Sequence, residues 1–216
     1  MPNWCVTRYI ATGKEEELRD FATTLNTMPN IDNDFGRFWL GNFAVALGEC
    51  TADNVLESGL SIRGTFDTEF FQDACFGGPE PDEDAEFEVS DDGRFLFSIC
   101  TAWGKSEDVE RMILQMWPSI ELSWSTTDEF DNFHRTYNPN NFKELSWFNF
   151  NGDVFSRTEA DIRYLNEKIH EYITDDELPE VVDEEFIRSD KFKEIAERAR
   201  EKDDSIYYSY YEEVRD

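Results

Sequence analysis

The spacing of apolar residues changes several times along the first 126 residues, and the order of these changes constrains the fold more than any single motif. Strand-like runs rich in β-branched and aromatic residues span Trp4 to Ala11, Arg94 to Trp103 and Ile120 to Ser125. Apolar residues at helical spacing follow the first run at Leu18 to Leu25 and the second at Val109 to Met116. With short strand candidates between the helices, the order is strand, helix, strands, helix, strand. The sequence therefore predicts an α+β fold, the βαββαβ pattern of a ferredoxin-like sandwich.

A β-rich segment is inserted between the first predicted helix and the strand that begins at Arg94. Its short strand candidates are Arg37 to Leu40, Phe43 to Leu47 and Leu60 to Phe66. Close to Arg94, the run Asp91-Asp92-Gly93 is typical of a tight turn. We therefore expect a hairpin that leads into the strand at Arg94.

Three predicted helices begin with recognisable capping residues. Thr12 and Glu15 have the spacing of a capping box, in which each side chain pairs with a free backbone amide of the other residue. Ser106 precedes the second helix, and Ser189 precedes a helix near the end of the chain. Serine is a preferred N-cap residue because its hydroxyl accepts a hydrogen bond from the first helical turn.

A change in composition divides the chain into a ferredoxin-like α+β domain, residues 1–130, and a second region, residues 131–216. Residues 131–152 are rich in asparagine and aromatic residues and show no clear period. The stretch Asp175 to Glu185 is acidic and contains Pro179, which favours a loop or a short linker.

Helical periodicity returns twice in residues 131–216. Ser156 and Glu159 form a second capping-box pair, and Ile162 to Ile173 carries an apolar face. Phe192 to Ala199 carries another. Because an amphipathic helix seldom persists unpaired in water, we expect an aromatic and acidic linker followed by a helical extension that docks on the first domain.

The charge is strongly negative: 49 Asp and Glu stand against 20 Lys and Arg, a formal net charge of -29. Such a surface repels phosphate, so we expect no direct binding to DNA or RNA. The 15% aromatic content is too high for a disordered acidic tail. The chain begins without a secretory signal and has no long apolar run, so we expect a cytoplasmic protein with no membrane segment and with reduced cysteines.

The sequence carries no motif that predicts a catalytic residue, a metal site or a cofactor. It has two histidines, and neither has a Cys or His partner at the spacing of zinc ligands. Asn30, Asp32 and Asp34 alternate like the first ligands of an EF-hand. However, Gly36 is one place late and Gly41 stands where a bidentate glutamate is required, so the calcium motif is not met.

Two short motifs give the first 126 residues a resemblance to a known family. The opening Pro2-Asn3-Trp4-Cys5 runs into a strand that ends at Gly13, and Thr101-Ala102-Trp103 closes the strong strand. Arg63-Gly64-Thr65-Phe66-Asp67 is a weaker match, without the flanking tryptophans. In these features the chain resembles the YubB-like ferredoxin-like family, which phages, plasmids and conjugative elements of bacteria carry. The resemblance implies the fold and a mobile-element origin, and it implies no activity.

A ferredoxin-like fold would place the first and third core strands side by side and antiparallel at the centre of the sheet. We therefore expect Cys5 to lie close to Cys100, with Trp4 near Trp103, as packing between central strands. A redox or metal pair at the two cysteines is the alternative.

The charge and the resemblance together favour a non-enzymatic acidic interaction protein of a bacterial mobile element or phage, with a protein partner that carries a basic surface. Carboxylates on a rigid scaffold can imitate a phosphate backbone, which suggests a nucleic-acid-mimicking inhibitor of a host defence nuclease, of the anti-restriction or anti-CRISPR type. Two alternatives stay open: a housekeeping or structural module whose charge serves only solubility, and an enzyme of unrecognised class. The sequence leaves the oligomeric state open.

The candidate partner-binding residues are the carboxylates of two acidic stretches and the tyrosines near the C-terminal end. They are Glu80, Asp82, Glu83, Asp84, Glu86, Glu88, Asp175, Asp176, Glu177, Asp183, Glu184, Glu185, Tyr207, Tyr208, Tyr210 and Tyr211.

Overall fold

The computed structural model divides the chain into two compact units, unit 1 (residues 1–133) and unit 2 (residues 134–216). The protein has the α+β architecture that the sequence predicts. The structure describes residues 4–34, 36–68, 86–128, 134–142, 144–145, 148–151, 153–155, 159–210 and 212–213.

Unit 1 is built on antiparallel strands that lie in the order β2-β3-β1-β4. The strands are β1 (Trp4–Thr12), β2 (Gly64–Asp67), β3 (Phe95–Ala102) and β4 (Glu121–Asp128). The helices are α1 (Glu15–Thr27), α2 (Leu40–Ala46) and α3 (Glu107–Met116), and a short 3-10 helix spans Val55–Glu57. The strands predicted at Trp4, Arg94 and Ile120 are thus confirmed, as are the helices between them.

Aromatic rings fill the core of unit 1 because alternate residues of its central strands face the same side of the sheet. Tyr9 stacks on Phe97 with the ring centroids 5.0 Å apart. Phe21 of α1 packs edge-on against Phe95 at 5.2 Å. All four side chains are at most 1% exposed, and burying each ring contributes about 1.5–3 kcal/mol. This packing anchors α1 on the sheet.

The start of α1 differs from the predicted capping box. Thr12 is the last residue of β1 and lies opposite Glu121, so strand pairing takes the residue that was expected to cap the helix. The helix begins at Glu15, and its N-cap residue is Lys14, which has no capping side-chain hydrogen bond. The backbone N–H of Lys14 instead donates to Ser119 Oγ at 3.1 Å. The predicted capping box is therefore wrong, whereas the predicted helix is confirmed.

The inserted segment is more helical than the sequence indicates. Leu40–Ala46 forms α2, so the strands predicted at Arg37 to Leu40 and Phe43 to Leu47 are wrong. The five residues from Leu40 to Ala44 are all buried. Because a short run that is buried on every side has no polar face, the sequence shows no helical period there. The predicted turn is confirmed, since Gly93 has a φ of 79° and the Ser90 N–H donates to the Arg94 carbonyl at 2.8 Å.

Unit 2 has its own small sheet and its own core. Three strands lie in the order β7-β6-β8, and a further strand, β5, pairs in parallel with β9. The strands are β5 (His134–Tyr137), β6 (Phe148–Phe150), β7 (Asp153–Phe155), β8 (Tyr208–Tyr210) and β9 (Glu212–Glu213). The helices are α4 (Glu159–Tyr172), α5 (Glu184–Ile187) and α6 (Asp190–Lys202).

The apolar faces of the helices in unit 2 pack with the strands of the same unit. The core contains Phe148 and Phe150 of β6, Leu165 and Ile169 of α4, and Phe192 of α6, all fully buried. The helical periodicity was thus predicted correctly. The stretch at 131–152 that was expected to be a linker contains β5 and β6, so the predicted helical extension is an α+β unit.

Candidate interaction surface

The first acidic stretch of candidate residues is described only at its end. Glu86 and Glu88 are exposed, next to an isolated bridge between Val89 and Phe95. Four candidates lie outside the described residues: Glu80, Asp82, Glu83 and Asp84.

The second acidic stretch, the 175–185 segment, uses several of its carboxylates inside unit 2. Arg198 of α6 donates from Nη2 to Asp175 Oδ2 at 2.9 Å and to Glu177 Oε2 at 2.7 Å. Lys191 Nζ lies 2.6 Å from Glu177 Oε1. A backbone hydrogen bond from Glu177 and then Arg198 lower the pKa of Asp175, while Lys191 and then Arg198 lower the pKa of Glu177. These two carboxylates therefore bind the segment to α6.

Two further carboxylates of the 175–185 segment stabilise the short helix α5. Asp183 is its N-cap residue, and the Asp183 carboxylate Oδ1 accepts a hydrogen bond from the Phe186 N–H at 2.8 Å. Glu184 pairs with Arg188 one turn later, at 3.3 Å. Asp176, Glu177, Asp183 and Glu185 are all exposed. Of the six candidates in this segment, Asp176 and Glu185 are the two whose side chains make no hydrogen bond or ion pair with the described residues.

Two of the candidate tyrosines, Tyr207 and Tyr208, are partly buried. Tyr208 packs edge-on against Phe192 with the ring centroids 5.6 Å apart, and burial followed by the charge of Glu197 raises its pKa. The Tyr207 N–H donates to Asn151 Oδ1 at 2.8 Å. Tyr210 lies in β8, and Tyr211 is outside the described residues. Tyr208 thus covers the core of unit 2 rather than projecting as an anchor.

The two central strands of unit 1 are neighbours, as expected, but their register separates the two cysteines. Cys5 lies opposite Thr101, and Val6 lies opposite Cys100. A shift of one residue turns a side chain to the other face of a sheet, so Cys5 and Cys100 face opposite sides. Cys5 is not in a disulfide, whereas Cys100 is disulfide-bonded. The expectation of reduced thiols is therefore wrong for Cys100.

Trp103 follows β3 and projects into solvent. Trp4 lies opposite Ala102, directly before Trp103, but the Trp103 side chain is 67% exposed. Its φ is 75°, the left-handed region that a bulky residue rarely adopts. The Thr101 hydroxyl donates to the Gly104 carbonyl at 2.6 Å and closes the turn around it. Trp103 therefore does not form the packed pair with Trp4 that the fold suggests.

A partly buried polar cluster joins β1 to α3 in unit 1. Tyr9 lies beside Glu110, and burial, followed by the charge of Glu110, raises the Tyr9 pKa well above its ordinary value. Glu110 Oε2 is in a short ion pair with Lys105 Nζ, which lies 4.5 Å from the centre of the Trp124 ring. Tyr9 is 1% exposed, whereas the Lys105 and Glu110 side chains are each 18% exposed, so this cluster runs from the core of the unit towards its surface.

Sequence reasoning missed a cavity of about 450 Å³ in unit 1, which we name the acidic pocket. Its polar lining includes Asp32, Asp34, Asp53 and Glu57, all exposed. Its apolar lining is Ile31, Trp39, Ala52, Val55 and Leu56. The alternation of Asp32 and Asp34 is visible in the sequence. The other two carboxylates come from the 3-10 helix region and are brought beside them only by the fold.

The described residues hold no group of three or more His, Cys, Asp or Glu side chains that could bind a metal ion. Within the same ranges, no helix is both long and apolar enough to cross a bilayer.

Known protein families, curated proteins and solved structures provide no match to this chain.

Proposed function

We propose that this chain is a non-enzymatic, acidic interaction protein, and that it binds another protein at a basic surface of that partner. One observation supports it: at least nine of the described lysines and arginines are held in ion pairs with nearby carboxylates, while part of the negative charge is left without such a partner. The lysines and arginines in ion pairs are Lys14, Arg19, Arg94, Lys105, Arg111, Arg188, Lys191, Lys193 and Arg198.

The carboxylates without an ion-pair partner supply the negative surface. In the described residues, Asp32, Asp34, Asp53, Glu57 and Asp176 are exposed and have no lysine or arginine within ion-pair distance. Since the net charge is -29, their field extends into solvent and attracts cationic surfaces. A basic partner would be steered towards them and would bind less tightly as salt is added.

The finer proposal is that the partner binds nucleic acid, and that carboxylates take the place of phosphates. Lysines and arginines that neutralise phosphates would meet carboxylates instead, and both charges would release counterions on contact. A host defence nuclease is a partner of this class. The YubB-like resemblance, with its origin in bacterial mobile elements and phages, supports this choice of partner.

We also propose that unit 1 is a ferredoxin-like domain. Helix α1 connects β1 to β2, and α3 connects β3 to β4, which is the βαββαβ sequence of elements. The antiparallel order β2-β3-β1-β4 places the first and third strands at the centre, as that fold requires. The segment between α1 and β2, which contains α2, is then the insert.

Affinity capture from a bacterial lysate tests the proposed function. The full chain is immobilised, and bound proteins are compared at about 0.05 M and about 0.5 M salt, where the screening length falls from well above to well below 10 Å. We expect basic, nucleic-acid-binding proteins at low salt and their loss at high salt. Recovery of the same proteins at both concentrations, or of none, would contradict the proposal and favour a module whose charge serves solubility.

A further inference from the structure

Trp103 is the most exposed aromatic side chain that the structure describes. It is 67% exposed, whereas Trp39, Trp117 and Trp124 are each at most 9% exposed. An indole ring left in water forgoes the free energy that burial of so large an apolar surface releases. The position of Trp103, directly after β3, is therefore costly for the folded chain.

The backbone carries a second cost at the same residue. The φ of 75° places Trp103 in the left-handed region, which the Cβ atom disfavours in every residue but glycine. Such strain persists only where the surrounding structure fixes the chain, and it is found mainly at functional sites. Exposure and strain at one side chain together indicate that the ring is used by something outside the fold.

The chain is anchored on both sides of Trp103. The Thr101 hydroxyl donates to the Gly104 carbonyl at 2.6 Å and closes the turn. Two residues further on, the Ser106 hydroxyl caps α3 and donates to the Ser61 carbonyl at 2.7 Å. The backbone that carries the ring is thus fixed before a partner arrives, which lowers the entropic cost of binding.

An exposed positive charge lies beside the ring. The Ala102 N–H donates to the Arg63 carbonyl at 3.0 Å, so Arg63 is next to the residue that precedes Trp103. Arg63 is exposed and has no ion-pair partner in the described part of the chain. Tryptophan and arginine are the side chains most enriched among the residues that dominate binding energy at protein interfaces. We name Trp103 and Arg63 together the Trp103 surface.

Charge selects the kind of molecule that covers the Trp103 surface. A second copy of the chain would bring a second net charge of -29, so the two copies repel each other. Nucleic acid is repelled for the same reason. A protein remains, and Arg63 specifies part of its chemistry, because a guanidinium without an internal partner forms its strongest pairs with a carboxylate. The indole ring requires an apolar pocket next to that carboxylate.

We propose that the Trp103 surface is a protein-binding site whose partner offers an apolar pocket for the indole ring and a carboxylate beside it for Arg63. This contact goes beyond the proposed function, since it uses a ring and a cation rather than the carboxylates of this chain. The exposed carboxylates attract basic proteins from a distance. The Trp103 surface acts at short range and selects among the proteins that arrive.

Photo-crosslinking of the full chain tests the contact directly. Trp103 is replaced by p-benzoyl-phenylalanine, and the matched control carries the same photoreactive residue at Val181, which is 70% exposed in unit 2. In a bacterial lysate we expect one protein to crosslink through position 103 and not through position 181. The crosslinked site on that protein should be an apolar pocket with an Asp or Glu side chain beside it. Equal crosslinks at both positions, crosslinks spread over many proteins, or none would overturn the inference.

Variants separate binding from a structural role, with the purified crosslinked protein as the probe. Trp103→Gly should weaken its affinity about thirtyfold, the effect of losing a dominant interface residue. The urea midpoint should stay the same or rise, because glycine adopts a positive φ without strain. Arg63→Gln should weaken the affinity about fivefold. Arg200→Gln, which removes another exposed arginine without an ion pair, should leave it unchanged. A lower midpoint in Trp103→Gly with unchanged affinity would show that the ring is structural, which contradicts the inference.

Two other occupants are outcomes that contradict the inference. Tryptophan fluorescence that a short single-stranded oligonucleotide quenches in the natural chain, but not in Trp103→Gly, would assign the Trp103 surface to nucleic acid. A dimer in ultracentrifugation that Trp103→Gly abolishes would assign it to a second copy. If Trp103→Gly captures the same salt-sensitive proteins from a lysate as the natural chain, this inference fails while the proposed function stands.

Discussion

The two acidic regions that the structure describes best, the 175–185 segment and the acidic pocket, use their carboxylates in different ways. In the 175–185 segment, Asp175 and Glu177 pair with Arg198, and Asp183 caps a helix. In the acidic pocket, carboxylates from separate parts of unit 1 surround a cavity and have no such partners among the described residues.

This difference shows that acidic density along a sequence does not identify the carboxylates that are available to a partner. The 175–185 segment is the denser stretch, yet the basic residues of α6 pair with two of its carboxylates, Asp175 and Glu177. The pocket carboxylates are sparser in the sequence but concentrated in space. An interaction surface is therefore defined by which charges the fold leaves uncompensated.

The largest expected effect on the free energy of unfolding comes from comparing one apolar residue in each of the two regions. Val182 lies fully buried within the 175–185 segment, so Val182→Asp places an unpaired charge in the core and should cost at least about 3 kcal/mol of unfolding free energy. Leu56 is 84% exposed, and Leu56→Asp should change the stability by less than about 0.5 kcal/mol. Urea denaturation of both variants checks this, and similar losses would mean that Leu56 is packed against the protein.

The next largest effect on stability shows whether Asp183 acts as a helix cap or only through its charge. Asp183→Ala removes the acceptor for the Phe186 N–H and should destabilise unit 2 by about 1 kcal/mol, whereas Asp183→Asn keeps an acceptor and should cost less. Asp176→Ala, at an exposed neighbouring position, serves as the control and should have no effect. The capping role is refuted if the Asn variant loses as much stability in urea as the Ala variant.

A smaller effect on stability is expected at acidic pH. The pKa values of Asp175 and Glu177 are lowered in the folded state, so their contribution to stability is complete above the unfolded pKa and is lost as the pH falls below about 5. Arg198→Gln removes a shared cause of both shifts, and it should lower stability at neutral pH and flatten the loss between about pH 5 and pH 2. Thermal unfolding across that range checks it, with Lys193→Gln as the control for an exposed ion pair. An unchanged acid profile would show that Arg198 does not stabilise the segment.

The smallest effect on stability is expected in the acidic pocket. The double variant Asp53→Asn, Glu57→Gln removes two charges that repel their neighbours and breaks no hydrogen bond, so the unfolding free energy should stay the same or rise slightly. A loss larger than about 1 kcal/mol in urea would indicate that these carboxylates have a structural role, unlike the account given above.

Local signals in the sequence predicted most of the elements that depend on local chemistry. Ser106 and Ser189 cap α3 and α6 as predicted, because the hydroxyl accepts from an amide three residues later. The strand Phe95–Ala102 was predicted from its β-branched and aromatic residues. Leu40–Ala46 was missed because it is buried on all sides of its first turns, which removes the period that marks a surface helix.

The interaction surface was less predictable because its features depend on contacts between distant residues. Arg198 meets Asp175 and Glu177 across more than 20 positions, and no local pattern indicates that pairing. The acidic pocket joins Asp32 and Asp34 to Asp53 and Glu57 through the fold of the insert. The sequence did predict that the net charge of the protein is negative, since the net charge depends on composition alone.

Competition with duplex DNA tests most directly whether the carboxylates stand in for phosphates. The immobilised full chain is loaded with the basic proteins that it captures at low salt, and unlabelled duplex DNA is then added at constant salt. If the partner's nucleic-acid channel is what binds the acidic surface, DNA should release the captured proteins in proportion to its concentration. Captured proteins that stay bound at saturating DNA would contradict the account, because the two ligands would then occupy different sites.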